Sequence, residues 1–358
     1  MTPLHARARI VRGIREFFWS RGFLEVETPV LLAHPSQEPE LEPMCATVHD
    51  HRGNGFDGFL RMSPEFSIKK LLGSGTLDPA LPGVFEIGPV FRDGEPWGGR
   101  HNPEFTMLEW YRPGATYVDL MDDCEALIHS LSAPALSPIS RHCESAKQSH
   151  PQQSIVSCAV ASSRTPRNDG GEKWERLTMR EAWQCYTGLN LDTLLTREAM
   201  AAACLARGLT VSTDDTFDDC FFKIHLTDVE PKLGQDRPTF LYDWPVQLAS
   251  LARRKPEDPR YAERVELYAN GLELANGFTE LTDSAEQRAR FLEDQAHRAR
   301  AGRPVYPLDE AFLAALDHMP PTAGIALGVD RLVMLLTGAS TIGGVRLLPA
   351  EELWGEHE

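Results

Sequence analysis

Val84-Phe-Glu-Ile-Gly-Pro-Val-Phe91 and Phe105-Thr-Met-Leu-Glu-Trp-Tyr111 are two strand-like runs, joined by the polar segment Arg92-Asp-Gly-Glu-Pro-Trp-Gly-Gly-Arg100-His-Asn-Pro-Glu104. They read as an antiparallel hairpin with a long Gly-rich loop. The two-residue period of a strand puts Phe105, Met107, Glu109 and Tyr111 on one face. A phenyl ring, a carboxylate and a phenol then line the same wall. Glu109 lies inside an apolar run and is expected to point inward, where a carboxylate without a cation is costly.

Upstream, Ile10, Ile14, Phe17 and Phe18 recur at helical spacing, and Gly22 supplies a stop. The chain opens directly on this helix, which is expected to leave no room for a separate N-terminal domain. Residues 23–28 alternate as a strand ending at Pro29, and 34–42 form a Pro-rich connector. Ser63 is the expected N-cap of a helix with Pro64 in its first position. Downstream, Thr116 caps a helix carrying Val118, Met121, Cys124 and Ile128, with Asp119 completing a box-like start. Residues 133–173 turn to Ser, Pro, Gln, Arg and Gly, and are expected to be a disordered insertion, His142, Cys143 and His150 included. Thr178-Met-Arg-Glu181 is a capping box, followed by short helices to Lys223. Asn270-Gly271 between apolar runs is a two-residue hairpin signal. Ser284-Ala-Glu-Gln287 is the expected cap of a long charged helix, and residues 324–336 read as a buried strand running into a helix.

Composition bounds the function. In 358 residues, 36 Lys and Arg stand against 52 Asp and Glu, a net charge of −16 that argues against a mainly electrostatic grip on nucleic acid. Seven scattered cysteines without a CxxC pair read as reduced thiols, which predicts a cytoplasmic protein. No apolar stretch is long enough for a membrane span. Gly53-Asn-Gly55-Phe-Asp-Gly58 matches the dinucleotide pattern but lacks its strand and helix, so it reads as a turn. His49 and His51 have no further ligands at metal-binding spacing. P-loop, zincin and hydrolase signatures are absent.

Three segments carry a joint signal: Arg92 through Tyr111, Gly271-Leu-Glu273-Leu-Ala-Asn-Gly-Phe-Thr-Glu280-Leu-Thr-Asp283, and Gly328-Val-Asp-Arg331. In this order they resemble motif 2, the following acidic segment and motif 3 of the class II aminoacyl-tRNA synthetases, in the lysine branch, and Glu25-Val-Glu-Thr-Pro29 looks like motif 1. Ser63-Pro-Glu65, His101-Asn-Pro-Glu-Phe-Thr-Met-Leu-Glu-Trp-Tyr-Arg-Pro113 and Ala326-Leu-Gly-Val-Asp-Arg-Leu-Val-Met334 are similar to the elongation factor P lysine ligases, lysyl-tRNA synthetase paralogues without the anticodon-binding domain. The resemblance spans residues 4–350 apart from the insertion. It implies one α+β catalytic domain over residues 1–358, an antiparallel sheet flanked by helices, and a homodimer formed through motif 1.

The resemblance further implies activation of (R)-β-lysine or lysine by ATP and Mg2+, and transfer to a lysine ε-amine of elongation factor P, with no tRNA expected. Arg92 is then the cation bridging the α-phosphate and the amino-acid carboxylate, a task suited to a bidentate guanidinium. Arg331 is its counterpart at the γ-phosphate. Asp93, Glu95, Asn102, Phe105, Glu273, Leu274 and Gly328 are the further expected ATP contacts, Phe105 through stacking and Gly328 through close backbone approach. The loop departs from the family's usual Arg-Asn-Glu, so either Glu95 serves from a displaced position or that contact is lost. Ser63, Pro64, Glu65, Glu109, Tyr111, Glu280 and Ala326 are expected around the diamine substrate. Glu273 and Glu280 are expected to hold magnesium as hard oxygen ligands. Two alternatives stand beside this reading: a truncated lysyl-tRNA synthetase that charges tRNA, and an inactive synthetase-like regulator.

Overall fold

The two runs around the 92–103 loop pair as expected. The computed structural model describes residues 2–132 and 174–355. The insertion expected at 133–173 lies outside the described residues. In chain order the helices are α1 (Pro3–Trp19), α2 (Glu65–Gly73), α3 (Tyr117–Ser132), α4 (Met179–Thr187), α5 (Arg197–Ala206), α6 (Phe217–Ile224), α7 (Ser284–Arg300), α8 (Glu310–Leu316), α9 (Val329–Thr337) and α10 (Ala350–Trp354). The strands are β1 (Leu24–Glu25), β2 (Leu31–Leu32), β3 (Cys45–His49), β4 (Gly55–Leu60), β5 (Val84–Phe91), β6 (Glu104–Pro113), β7 (Glu175–Thr178), β8 (Thr239–Pro245), β9 (Tyr261–Ala269), β10 (Leu272–Thr279) and β11 (Thr322–Gly328).

Eight strands form one sheet in the order β1-β5-β6-β11-β10-β9-β8-β7, antiparallel except for the outer pairs β1/β5 and β7/β8. The fold is α+β, and β2, β4 and β3 make a small separate sheet. Strand period decides which face each side chain takes. Leu108 and Trp110 of β6, with Ala323, Ile325 and Leu327 of β11, join Ile10, Ile14, Phe17 and Phe18 of α1 in the principal core. The alternate residues, Met107 and Glu109 of β6 and Ala326 and Gly328 of β11, line an open cavity on the opposite face. A second core, including Trp183, Phe221, Ile224 and Trp244, seats α4 and α6 on the far end of the sheet.

Several boundaries differ from the sequence reading. The strand expected over 23–28 is only Leu24–Glu25, because Thr28 turns its N–H and hydroxyl to the buried Glu86 carboxylate at 3.2 and 2.8 Å. Helix α2 starts at Glu65, so Pro64 precedes it; Ser63 Oγ still accepts the Glu65 N–H at 2.9 Å. Asp283, not Ser284, caps α7, its carboxylate accepting the Glu286 N–H at 2.9 Å. The Thr178 box, the Asn270-Gly271 turn and the strand-to-helix passage into α9 form as read. Among the described residues no helix is long and apolar enough to cross a membrane, and Cys45, Cys124, Cys185, Cys204 and Cys220 form no disulfide.

Candidate active site

Strand register assembles the site. Glu109 on β6 lies opposite Ala326 on β11, which lies opposite Asn276 on β10. One strand step away, Tyr111, Gly324 and Phe278 form a parallel row, and Met107 faces Gly328. A bulge between Glu273 and Ala275 shifts the β10 register. Glu273 and Glu280 are seven apart and would fall on opposite faces of a regular strand; the bulge brings Glu273 onto the cavity face with Asn276 and Phe278. The cavity holds about 1400 Å³, ample for a nucleotide and an amino acid together.

One end is acidic and buried. Ser63 Oγ donates to Glu109 Oε1 at 2.8 Å, and the Tyr111 hydroxyl donates to Glu109 Oε2 at 2.9 Å. Lys69 Nζ lies 2.6 Å from both Glu65 Oε1 and Glu280 Oε2. Glu280 Oε1 is buried without any hydrogen-bond partner. Burial, reinforced by the charge of Glu65, pushes the Glu109 carboxyl up to about 8. Burial likewise pushes Glu280 up to about 8, against the lowering pull of Lys69. Tyr111 is held well above its ordinary range, by burial first and then by Glu109. Two carboxyl groups thus share the Lys69 ammonium and a third, Glu109, stands beside them without an ion pair among the described residues, a desolvated acidic nest that favours the arrival of further positive charge.

The other end is cationic. Arg92 lines the cavity with Nε buried and unpartnered, its guanidinium carbon 5.1 Å from the Phe105 ring centre. Arg331 Nη1 donates to the Glu273 carbonyl at 2.9 Å, so the side chain is aimed across the start of β10. Its neighbour Asp330 does not pair with it: Asp330 takes Arg7 at 2.6 Å and the Thr106 N–H at 2.6 Å, tying α9 to α1 and β6. Gly328 leads into α9, and a Cβ there would meet nothing nearer than Arg331 Cβ at 3.9 Å. Open backbone at a helix start suits an anion. Residues 342–350 fold back on the 92–103 loop: the Ile342 N–H donates to Gly99 O at 2.8 Å, the Ala350 N–H to Asn102 Oδ1 at 2.8 Å, and Arg346 pairs with Glu104.

The expected residues divide accordingly. Ser63, Glu65, Arg92, Glu95, Asn102, Phe105, Glu109, Glu273, Leu274, Ala326, Gly328 and Arg331 line the one cavity, with Tyr111 and Glu280 behind its acidic end. Pro64 is buried before α2. Asp93 is exposed and bonds its own loop at the Gly94 N–H, 2.9 Å, outside the cavity lining. Glu95 does face the cavity, 3.0 Å from His101 Nδ1. Asn102 has both ends of its amide engaged, with Ala350 N and Glu104 O, so it braces the loop. Glu280 is committed to Lys69, which leaves Glu273, beside Arg331, as the member of the expected pair that faces the cavity; Glu266 on the neighbouring strand is taken by Arg264 at 2.6 Å. The Glu266 carboxyl is pushed up to about 7, by burial first and, against Arg264, by the charge of Glu273. Among the described residues no group of three His, Cys, Asp or Glu side chains forms a metal cage. The donor set therefore suits magnesium that draws most of its oxygens from phosphates and water.

Sequence reasoning missed Lys69, although its Glu65 partner lies at the i,i+4 spacing of helical ion pairs. It also missed Glu38, whose carboxyl is pushed up to about 7 by burial and then by Glu65, because nothing in a Pro-rich connector marks a residue as facing a cavity.

A sequence model described as tRNA synthetases class II (D, K and N) matches residues 2–352. The chain belongs to this family. Within this class II group, it is 38% identical over 344 residues to a protein of Klebsiella pneumoniae subsp. pneumoniae named elongation factor P–(R)-beta-lysine ligase, covering 95% of this chain and 92% of that one. A protein of the same name from Hamiltonella defensa is 36% identical over 360 residues, covering 98% and 96%. The lysine–tRNA ligase of Moorella thermoacetica is 38% identical over 344 residues, which span 96% of this chain and 64% of that protein. The class II assignment accounts for the antiparallel sheet and identifies the chain as an ATP-dependent ligase.

Proposed function

We propose that this protein activates (R)-β-lysine, or lysine, as an acyl adenylate and transfers it to a lysine ε-amine of elongation factor P, in the cytoplasm. The observation that carries the substrate class is the buried nest in which Lys69 bridges Glu65 and Glu280 while Glu109 beside them is held by Ser63 and Tyr111. Such a nest favours a diammonium ligand and rejects neutral side chains. The acceptor is inferred from the relatives with the ligase name, matched over 92% and 96% of their own lengths.

In this reading the substrate's amines enter the acidic end, and its carboxylate faces Arg92. A carboxylate oxygen attacks the α-phosphorus, forming a P–O bond as the bond to pyrophosphate breaks. Arg92 bridges the two anions, and its unpartnered Nε is free for that contact. Arg331 receives the γ-phosphate end, Phe105 the adenine ring and Gly328 the phosphate backbone, with Glu95 and Leu274 beside the base. Magnesium, held by Glu273 together with phosphate oxygens and water, would neutralise charge on the triphosphate. The acceptor amine, once deprotonated, then attacks the anhydride carbonyl, an amide bond forms and AMP leaves. The Ala326 methyl, between Glu109 and Asn276, occupies space that favours a β-amino over an α-amino group. Motif 1 would join two copies, and the exposed Leu4, Trp19 and Leu24 nearby are apolar side chains that a second copy would cover.

The test is ATP–pyrophosphate exchange with lysine and (R)-β-lysine, followed by transfer of labelled amino acid to elongation factor P or to tRNA(Lys). Exchange stronger with β-lysine, and label on the factor, are expected. No exchange with either diamine refutes the enzyme reading. Label on tRNA instead supports the second reading, a lysine–tRNA ligase, which the equal identity to the Moorella enzyme keeps in view.

A further inference from the structure

We propose that Lys69 is a specificity-determining positioning residue: a built-in ammonium that divides the carboxylate nest, so that the pocket measures both the number and the separation of the substrate's amines. This rests on the reading of the site as one for a diamine.

Lys69 stands one helical turn after Glu65 in α2, with only 1% of its side chain exposed. Its Nζ takes one oxygen from each of two carboxylates, Glu65 Oε1 near the cavity and Glu280 Oε2 behind it, at 2.6 Å each. The bridge therefore decides which oxygens remain. Glu65 is left with Oε2, and Glu280 with Oε1, which among the described residues has neither a hydrogen-bond nor an ion-pair partner. That oxygen lies beside the Tyr111 ring over Gly324, where a Cβ would come within 2.4 Å of it and 2.2 Å of Tyr111 Cε1. Two acceptor oxygens thus remain on the carboxylates bridged by one fixed cation, and a ligand reaching only one of them leaves the nest with negative charge it does not match.

Charge makes the same point. When Glu65, Glu109, Glu280 and Lys69 are all ionised, three carboxylates against one ammonium leave two charges, one for each amine of a diamine. Without Lys69 the carboxylates would repel and turn away from one another, and the separation between the two acceptors would no longer be set. Arg could supply the charge, but its planar fork cannot occupy the position of a compact ammonium with the same geometry.

The experiment compares wild type, Lys69→Met and Lys69→Arg in ATP–pyrophosphate exchange, using the preferred diamine and its homologue shorter by one methylene. ATP affinity and thermal melting serve as folding controls. For Lys69→Met we expect unchanged ATP affinity, a KM for the preferred diamine raised at least tenfold with kcat largely kept, and a loss of at least tenfold in the kcat/KM ratio between the two diamines. A merely structural lysine would weaken both diamines alike. A ratio that falls less than tenfold overturns the proposal. Should Lys69→Met fail to fold, Lys69→Arg decides on the same criterion, since it keeps the charge and changes only the shape. Wild type inactive with every diamine would instead refute the activation reading, and is distinguishable from an active wild type whose ratio does not respond to Lys69.

Discussion

Replacing Gly324 by alanine adds a single methyl to β11, and the structure says what it meets: Tyr111 Cε1 at 2.2 Å and Glu280 Oε1 at 2.4 Å. Unstrained contacts begin near 3.5 Å, so ring and carboxylate must together yield roughly 1 Å or more. Both are buried, 2% and 3% exposed, so neither can swing out into solvent. Overpacking of this kind costs about 1–3 kcal/mol of stability, which for a chain of this size lowers Tm by only a few degrees. The effect on the amines is larger. A displacement of about 1 Å in a positioning group can cost on the order of 100-fold, or about 2.8 kcal/mol at roughly 1.4 kcal/mol per decade. We therefore expect Gly324→Ala to fold, to bind ATP as wild type does, and to show a diamine KM raised about 100-fold. Exchange measured against diamine concentration at saturating ATP reads this directly. A folded variant with an unchanged KM would show that the amines do not bind between Tyr111 and Glu280, and the assignment of the acidic end would fall.

At the other end, Gly328→Ala should melt as wild type, because its methyl finds nothing within 3.9 Å; a raised KM for ATP then reports nucleotide against that backbone, and an unchanged one removes Gly328 from the site. Arg92→Ala should reduce exchange by about 100-fold or more with the protein still folded, since its Nε has no partner among the described residues and its contact with the Phe105 ring is a single cation–π one; undiminished exchange would refute its bridging role. Diamine binding at pH 7 should release protons, because Glu109 and Glu280, raised to about 8, hold protons in the empty nest that an ammonium displaces. Affinity should accordingly rise from pH 6 to 8, and calorimetry in buffers of different ionisation enthalpy that shows no proton release would contradict the nest as described. Ala326→Gly should shift the ratio of exchange activities toward α-lysine, and a constant ratio would clear Ala326 of any part in that choice.

The fold was legible where local pattern carries the information. Period two along β6 separated Glu109 from Trp110 correctly, and Asn270-Gly271, with φ of 52° and 67°, formed the turn its residue types require. The two halves of the site also lay in readable order along the chain. What could not be read depends on registers between strands far apart in sequence. The β10 bulge that puts Glu273 on the cavity face has no signature in Glu-Leu-Ala, and without it the two glutamates expected to share magnesium would fall on opposite faces. Nor could the partner of Glu280 be read: Lys69 is buried against it, a contact across 211 positions that helical spacing alone cannot reveal. The same distance effect explains Asn102, which looks like a nucleotide contact locally and is engaged by a backbone N–H 248 positions on.

That brace has a consequence during synthesis. At roughly 5–20 residues per second, the ribosome takes about 10–50 s to travel from Asn102 to Ala350. Throughout that interval the 92–103 loop exists without the residues that hold Gly99 and Asn102 in place. A ligand can act as a folding aid only for a site already shaped to receive it, and this end of the cavity is unshaped until residues 342–350 emerge. The principal core waits for the same stretch, since Ile342 and Val345 belong to it, so the loop brace and the core are completed together.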